Sequence, residues 1–166
     1  MEIREMETAD SKQFVEFYDK LAKESEYLPI APEEVSEKTE KIIKHIEKDN
    51  KLKKVFIAEE NGQIVGFVGI KRMHFARLRH VAKLIIGVLD DYKRQGIGTK
   101  LIDFVEKWAK ENEVRKLELT VVEDNDPAVE FFEEMDFDKE GTREKAVKIK
   151  GEYLDEIFMA KEIDED

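Results

Sequence analysis

A glycine-opened loop between a strand and a helix offers the clearest chemistry in this sequence. Residues 93–98 read KRQGIG, follow an apolar run that ends at Leu89, and lead into a helical pattern. N–H groups in the first turn of a helix have no acceptor within it, and the helix dipole adds positive charge there. Glycines let an anion approach the backbone closely, and Lys93 and Arg94 add two full positive charges. The pattern therefore suggests a phosphate site.

The same residues are also compatible with a plain structural turn. A tight connection from strand to helix with solvated basic side chains gives the same pattern. A dinucleotide-binding fingerprint would need a third glycine where the chain has Leu101. A P-loop would need a lysine directly after Gly98, where the chain has Thr99. These two phosphate motifs are therefore poorly supported.

Segment 93–98, after a strand ending at Val88, resembles the acetyl-CoA pyrophosphate loop of the GNAT superfamily of N-acetyltransferases. The resemblance is clear from about Val81 to the end of the chain, whereas the first half matches mainly in element order. Several blocks in the family's order are more specific than Gly-x-Gly alone. The matched blocks after the loop are 117–121, Asn125, Ala128, 131–137, 140–143, 151–155 and Met159.

The resemblance implies an α/β (α+β) fold: a single mixed, mostly antiparallel twisted sheet of about seven strands with helices on both faces. It implies one acyl-CoA N-acyltransferase-like domain over residues 1–166, with acetyl-CoA as co-substrate. We expect no metal, because the three histidines are scattered and cysteine is absent. In this family the strand before the loop holds the pantetheine arm with its backbone, and loop N–H groups hold the pyrophosphate. The residues implied to bind the coenzyme are Ile86, Gly87, Val88, Lys93, Arg94, Gln95, Gly96, Ile97, Gly98, Thr99, Asn125 and Phe132.

Two of these residues have a further role open to them. Gly87 could relieve crowding at a β-bulge in its strand. Asn125 would contact the coenzyme arm, cap the following helix, or do both with different atoms of one amide.

The family's reaction is direct attack by an amine on a thioester, with both substrates bound together. An alkylamine with a pKa near ~10 is almost fully protonated at neutral pH, so a base must accept its proton. Glu118 is the first candidate for that base, because its strand borders the expected coenzyme site, and His80 is the second. Each also has a plain alternative, as a cross-strand partner or as an exposed side chain.

The chain departs from the family's pattern at three positions. Phe132 stands where many members carry a tyrosine general acid, Asp136 replaces a common glycine, and Lys83 sits where some relatives have a glutamate base. Phenylalanine has no proton to give. Lys83 could neutralise an acidic group of the substrate or simply be solvated. The departures leave the expected coenzyme site standing and the acid and base assignments open.

Hydrophobic patterning predicts the element order β-α-α-β-β-β-α-β-α-β-β, with no internal repeat or linker. Asn-Gly at 61–62 predicts a hairpin with a type I′ turn, and Lys-Gly at 150–151 predicts the turn of a final hairpin. Residues 10–13 resemble a capping box at the start of the first helix. The apolar run 81–89 predicts a strand buried on both faces.

Composition narrows the classes of partner. The chain has 166 residues, 40 acidic and 29 basic, for a net charge of −11. Such a surface repels a phosphate backbone, which disfavours nucleic acid, and attracts cationic amines.

Disulfides and thiolate metal sites are excluded because cysteine is absent. Without an apolar run near ~20 residues or an apolar leader, we expect a cytoplasmic protein with no membrane partner. The oligomeric state is open, with a homodimer among the options.

The sequence therefore favours an acetyl-CoA-dependent N-acetyltransferase. The acceptor would be a primary amine of a small molecule or of a protein N-terminus, attacking in a ternary complex. The alternative is a non-catalytic acyl-CoA-binding or sensing module, motivated by Phe132. A third hypothesis, a nucleotide-binding domain, requires that ATP or NAD stabilise the protein and that CoA does not.

Overall fold

A computed structural model describes residues 1–165 of the chain. Seven strands within this range form one open sheet in the order β1-β2-β3-β4-β5-β7-β6. β4 and β5 run parallel, whereas β1–β2, β2–β3, β5–β7 and β6–β7 are antiparallel pairs. The predicted element order and the mixed, mostly antiparallel sheet are confirmed. The elements are β1 (Glu2–Glu5), α1 (Ser11–Glu24), α2 (Val35–Glu47), β2 (Lys53–Glu60), β3 (Gln63–Arg72), β4 (Val81–Val88), α3 (Ile97–Glu111), β5 (Lys116–Val122), α4 (Asp126–Glu134), β6 (Asp138–Ile149) and β7 (Glu152–Glu162).

The chain divides into two compact units. The first unit contains Met1–Lys71 and Ile85–Val105, and the second contains Arg72–Leu84 and the chain from Glu106 onward. Strand β4 and helix α3 each contribute residues to both. The single domain over residues 1–166 stays a prediction.

An aromatic cluster joins α1 to β3 in the first unit. Phe14 and Tyr18 of α1 are fully buried, and their ring centroids lie 5.8 and 5.5 Å from that of Phe67. The rings are tilted or edge-on, an arrangement that aromatic pairs prefer to a face-to-face stack. This packing fixes α1 against the sheet.

The start of α1 differs from the prediction. The capping box expected at residues 10–13 is wrong, because both of its end side chains are bonded elsewhere. The Asp10 carboxylate accepts a hydrogen bond from the N–H of Glu7 at 2.8 Å and one from each terminal guanidinium nitrogen of Arg4, also at 2.8 Å. The Arg4 guanidinium holds the pKa of the Asp10 carboxyl below its usual range.

Gln13, the other end of the expected box, connects α1 to the first hairpin. Its amide nitrogen donates to the carbonyl of Gly62 at 2.9 Å, and its amide oxygen accepts the N–H of Ile64 at 2.9 Å. One side chain therefore holds both ends of the turn, which a search for local caps cannot detect.

Both predicted hairpin turns are confirmed. Asn61 and Gly62 have φ values of +50° and +76°, and Lys150 and Gly151 have +50° and +81°. Positive φ at both central residues is the signature of a type I′ turn, whose twist matches that of the flanking strands.

The burial of β4 differs from the prediction. Ala82 and Leu84 are buried, but Lys83 is exposed and Ile85–Val88 is only half-buried. The prediction of a strand covered on both faces is therefore wrong. A run of apolar residues indicates side chains that favour burial. In β4, the rest of the protein covers these side chains only in part.

β5 separates two kinds of side chain in the second unit. Leu117, Leu119 and Val121 are buried, whereas Lys116 and Glu118 on the opposite face are half-buried. None of the helices in residues 1–165 is long and apolar enough to cross a bilayer.

Candidate functional site

The loop before α3 has the geometry of an anion site. Arg94 has a φ of +60° and Gly96 a φ of +79°. The N–H of Lys100 donates to the carbonyl of Gly96 at 3.0 Å, which closes the first turn of the helix. The N–H groups that precede Lys100 in this turn have no acceptor within α3. They lie at the positive end of the dipole of a 15-residue helix.

The space beside this loop is open. Residues 93–96 are exposed, and a Cβ atom built on Gly96 would have no other atom within 4 Å. Glycine at residue 96 is explained by its positive φ rather than by a protein atom crowding it. A ligand can therefore approach the backbone there.

The charges of the loop are more balanced than the sequence indicates. Lys93 forms an ion pair with Asp90 at 2.5 Å, so its charge is already partnered. The Gln95 amide donates to the carbonyl of Asp91 at 3.0 Å and fixes the turn. Arg94 is exposed and makes no ion pair within residues 1–165. An anion would thus meet backbone N–H groups and one arginine.

Gly87 makes room for helix α1. A Cβ on Gly87 would lie 2.6 Å from Cδ2 of Leu21 and 3.1 Å from Cε1 of Phe67. Its φ is not positive, so crowding rather than backbone conformation requires glycine. The bulge expected at Gly87 stays a prediction, and close packing of α1 gives this residue a sufficient reason.

Asn125 lies before α4 in the second unit. Its carbonyl accepts the N–H groups of Ala128 and Val129, both at 3.1 Å. Asn125 is the N-cap residue of α4, as expected, but its side chain makes no capping hydrogen bond. The main chain alone closes the first turn of α4, and the amide of Asn125 is left to other partners.

Phe132 packs inside an aromatic cluster. It is buried, with its ring centroid 5.1 Å from that of Phe131 and 5.6 Å from that of Phe137. Asp136, which follows α4, has a φ of +64°. That conformation favours glycine, so the structure accounts for the family's preference for glycine there.

A pocket of about 230 Å³ opens on the second unit. Glu118 lies directly opposite Lys83 in the parallel register of β4 and β5. Glu140 is ion-paired with Lys116 at 2.9 Å and raises the pKa of that lysine. The residues lining the pocket are Lys83, Glu118, Leu119, Glu140, Phe158 and Met159. The sequence pointed to Lys83 and Glu118 but missed Glu140 and Phe158, which reach the pocket only through strand pairing.

His80 has a different setting. Its side chain is exposed, and it is not among the residues that line this pocket. Its carbonyl accepts the N–H groups of Arg115 and Lys116 at 2.7 and 3.1 Å. His80 therefore connects the start of β4 to the start of β5 through its backbone carbonyl.

Comparison with known proteins agrees with the fold. The family model described as the acetyltransferase (GNAT) family matches residues 14–137. L-amino acid N-acetyltransferase AaaT from Escherichia coli (strain K12) is 33% identical over 112 residues, which are 65% of this chain and 67% of that protein. The GNAT-family acetyltransferase from Streptococcus pneumoniae superposes with a TM-score of 0.87 at 28% identity, covering 98% of this chain and 99% of that one.

A further solved structure, yncA from Salmonella typhimurium with its cofactor acetyl-CoA, shares the fold. Its TM-score is 0.82 at 19% identity, over 99% of this chain and 95% of that one. The chain belongs to the GNAT acetyltransferase family, whose general activity is acetyl-CoA-dependent acetyl transfer. Among residues 1–165, no group of three or more His, Asp or Glu side chains is arranged to hold a metal ion.

Proposed function

We propose that this protein transfers the acetyl group of acetyl-CoA to the primary amine of a small molecule or of a protein N-terminus. The observation that carries the proposal is the loop before α3, where Gly96 leaves open space beside N–H groups at a helix start. The name of the E. coli relative, L-amino acid N-acetyltransferase, supports an amine acceptor.

The residues of the chain fit the coenzyme. N–H groups from Arg94 to Thr99 would hold the pyrophosphate, with the Arg94 guanidinium beside them. The half-buried backbone at Ile86, Gly87 and Val88 would take the pantetheine arm, which would also cover their apolar atoms. The amide of Asn125, which its own helix does not use, is a further candidate coenzyme ligand.

Acetyl-CoA supplies an activated acyl group, and the chain would supply proton transfer and positioning. The acceptor arrives as an ammonium ion, and Glu118 would accept the first of its two departing protons. A carbon–nitrogen bond then forms as the carbon–sulfur bond breaks. The thiolate takes up one proton, so amide, free CoA and one released proton balance the reaction. No tyrosine at residue 132 protonates the sulfur, but a thiol with a pKa near ~8.5 leaves readily as the thiolate.

A non-catalytic acyl-CoA-binding module is the second candidate. Phe132 supports it, since this buried ring packs against Phe131 and Phe137 and has no proton to give.

Two measurements on the purified protein separate the candidates. Calorimetry with acetyl-CoA tests binding, and release of free CoA in the presence of a panel of amines tests transfer. We expect both binding and transfer. Binding without transfer to any amine would establish the second candidate, and the absence of binding would reject both.

A further inference from the structure

The pocket on the second unit is lined by two opposite charges, Lys83 and Glu118, that form no ion pair within residues 1–165. Glu140 is already matched by Lys116 at 2.9 Å. Neither the Lys83 nor the Glu118 side chain makes a hydrogen bond to the described chain, and the charge of Glu118 contributes, after that of Glu140, to the raised pKa of Lys116. One ammonium and one carboxylate are therefore available to a ligand.

The two charges are adjacent and point the same way. Lys83 and Glu118 are register partners on parallel strands, and paired strands lie ~4.8 Å apart. Directly paired residues project on the same face of a sheet. On β5 that face is opposite to buried Leu117 and Leu119, so both charged side chains project away from the core.

We propose that the acceptor is a free amino acid, with its carboxylate bound by Lys83 and its amine held by Glu118. The proposal rests on the proposed function and specifies its substrate. A zwitterion presents opposite charges a few bonds apart, which match this pair. At a peptide N-terminus the α-carboxyl group is part of an amide bond, so Lys83 would have no α-carboxylate to bind.

The pocket has the size for such an acceptor. Its volume of about 230 Å³ is below the range of about 300–1,000 Å³ typical of sites for larger ligands. Phe158, which is 37% exposed, provides an apolar wall that suits an aliphatic side chain.

The test compares L-leucine with L-leucinamide, which keeps the amine and side chain and lacks the carboxylate. The amine of the amide is intrinsically easier to deprotonate, so the informative quantity is the ratio of the two kcat/KM values. We expect Lys83→Gln to shift that ratio about tenfold against L-leucine, the effect of losing one charge-assisted contact. Lys83→Arg should retain the wild-type ratio, and so should Lys107→Gln, which removes an exposed lysine of α3.

A second readout does not need turnover. Calorimetry with the CoA-bound protein should detect binding of L-leucine, and Lys83→Gln should weaken it about tenfold. An unchanged ratio and unchanged binding in Lys83→Gln would overturn the proposal while leaving acetyl transfer intact. If L-leucine binds through Lys83 but no amine is acetylated, the proposed function fails and the amino-acid site stands.

Discussion

A Cβ atom on Gly87 would lie 2.6 Å from Cδ2 of Leu21, so α1 meets β4 where only a hydrogen atom fits. This contact sets how closely the helix approaches the strand segment assigned to the coenzyme arm. Under the proposed function, Gly87 would serve both stability and coenzyme binding.

Replacing Gly87 by alanine should destabilise the protein by about 1–3 kcal/mol, because the new methyl group must displace Leu21 or the backbone. Urea unfolding measures this free energy. Gly141→Ala is the matched control, since a Cβ there meets no atom within 4 Å and the φ is not positive. If both variants lost the same free energy of unfolding, the side chains around Gly87 would have room for a methyl group.

Replacing Gly96 by valine should weaken acetyl-CoA binding about tenfold or more, because branched carbons would occupy the space where the pyrophosphate approaches the backbone. Calorimetry measures the affinity. Gly151→Val is matched for strain: the φ values are +79° and +81°, and neither residue has an atom near its Cβ position. If folded Gly96→Val bound acetyl-CoA with wild-type affinity, the loop would not be part of the coenzyme site.

The hydroxyl of Tyr18 is buried without a hydrogen-bond partner anywhere in the described chain. Burial raises its pKa to about 12, so the group stays neutral. Tyr18→Phe should therefore raise the free energy of unfolding by about 1 kcal/mol, by removing an unsatisfied polar atom. Tyr153→Phe, at an exposed position, should leave it unchanged. A less stable Tyr18→Phe variant would reveal that the hydroxyl has a partner in solution.

Glu118→Gln should lower kcat about a hundredfold, as expected for losing a general base, and should leave acetyl-CoA affinity unchanged. His80→Ala should keep kcat within about twofold, since the imidazole is exposed and the hydrogen bonds that His80 makes to Arg115 and Lys116 use its carbonyl. Steady-state rates with saturating amine decide between them. If kcat fell more in His80→Ala than in Glu118→Gln, His80 rather than Glu118 would be the general base.

Features encoded by neighbouring residues could be predicted from the sequence. Asn61-Gly62 and Lys150-Gly151 specify their turns through φ alone, so both hairpins are where the sequence places them. The loop around Gly96 is equally local, because its glycines and the following helix adjoin in the chain. These segments need no knowledge of distant partners.

Features that depend on distant residues could not be predicted. Arg4 takes the carboxylate of Asp10, and the hairpin takes the amide of Gln13, so the expected cap does not form. The pocket escaped prediction for the same reason, since Glu140 reaches Lys116 across 24 residues of sequence. Pairing between strands, rather than local pattern, brings these charges together.

The ion pair between Lys93 and Asp90 bears on how coenzyme capture responds to ionic strength. Salt screens the attraction between exposed full charges strongly, and it acts less on short contacts with fixed backbone dipoles. With Lys93 paired to Asp90, the loop offers backbone dipoles and the guanidinium of Arg94 to an anion. Affinity for acetyl-CoA should therefore fall only gently between dilute buffer and concentrated salt.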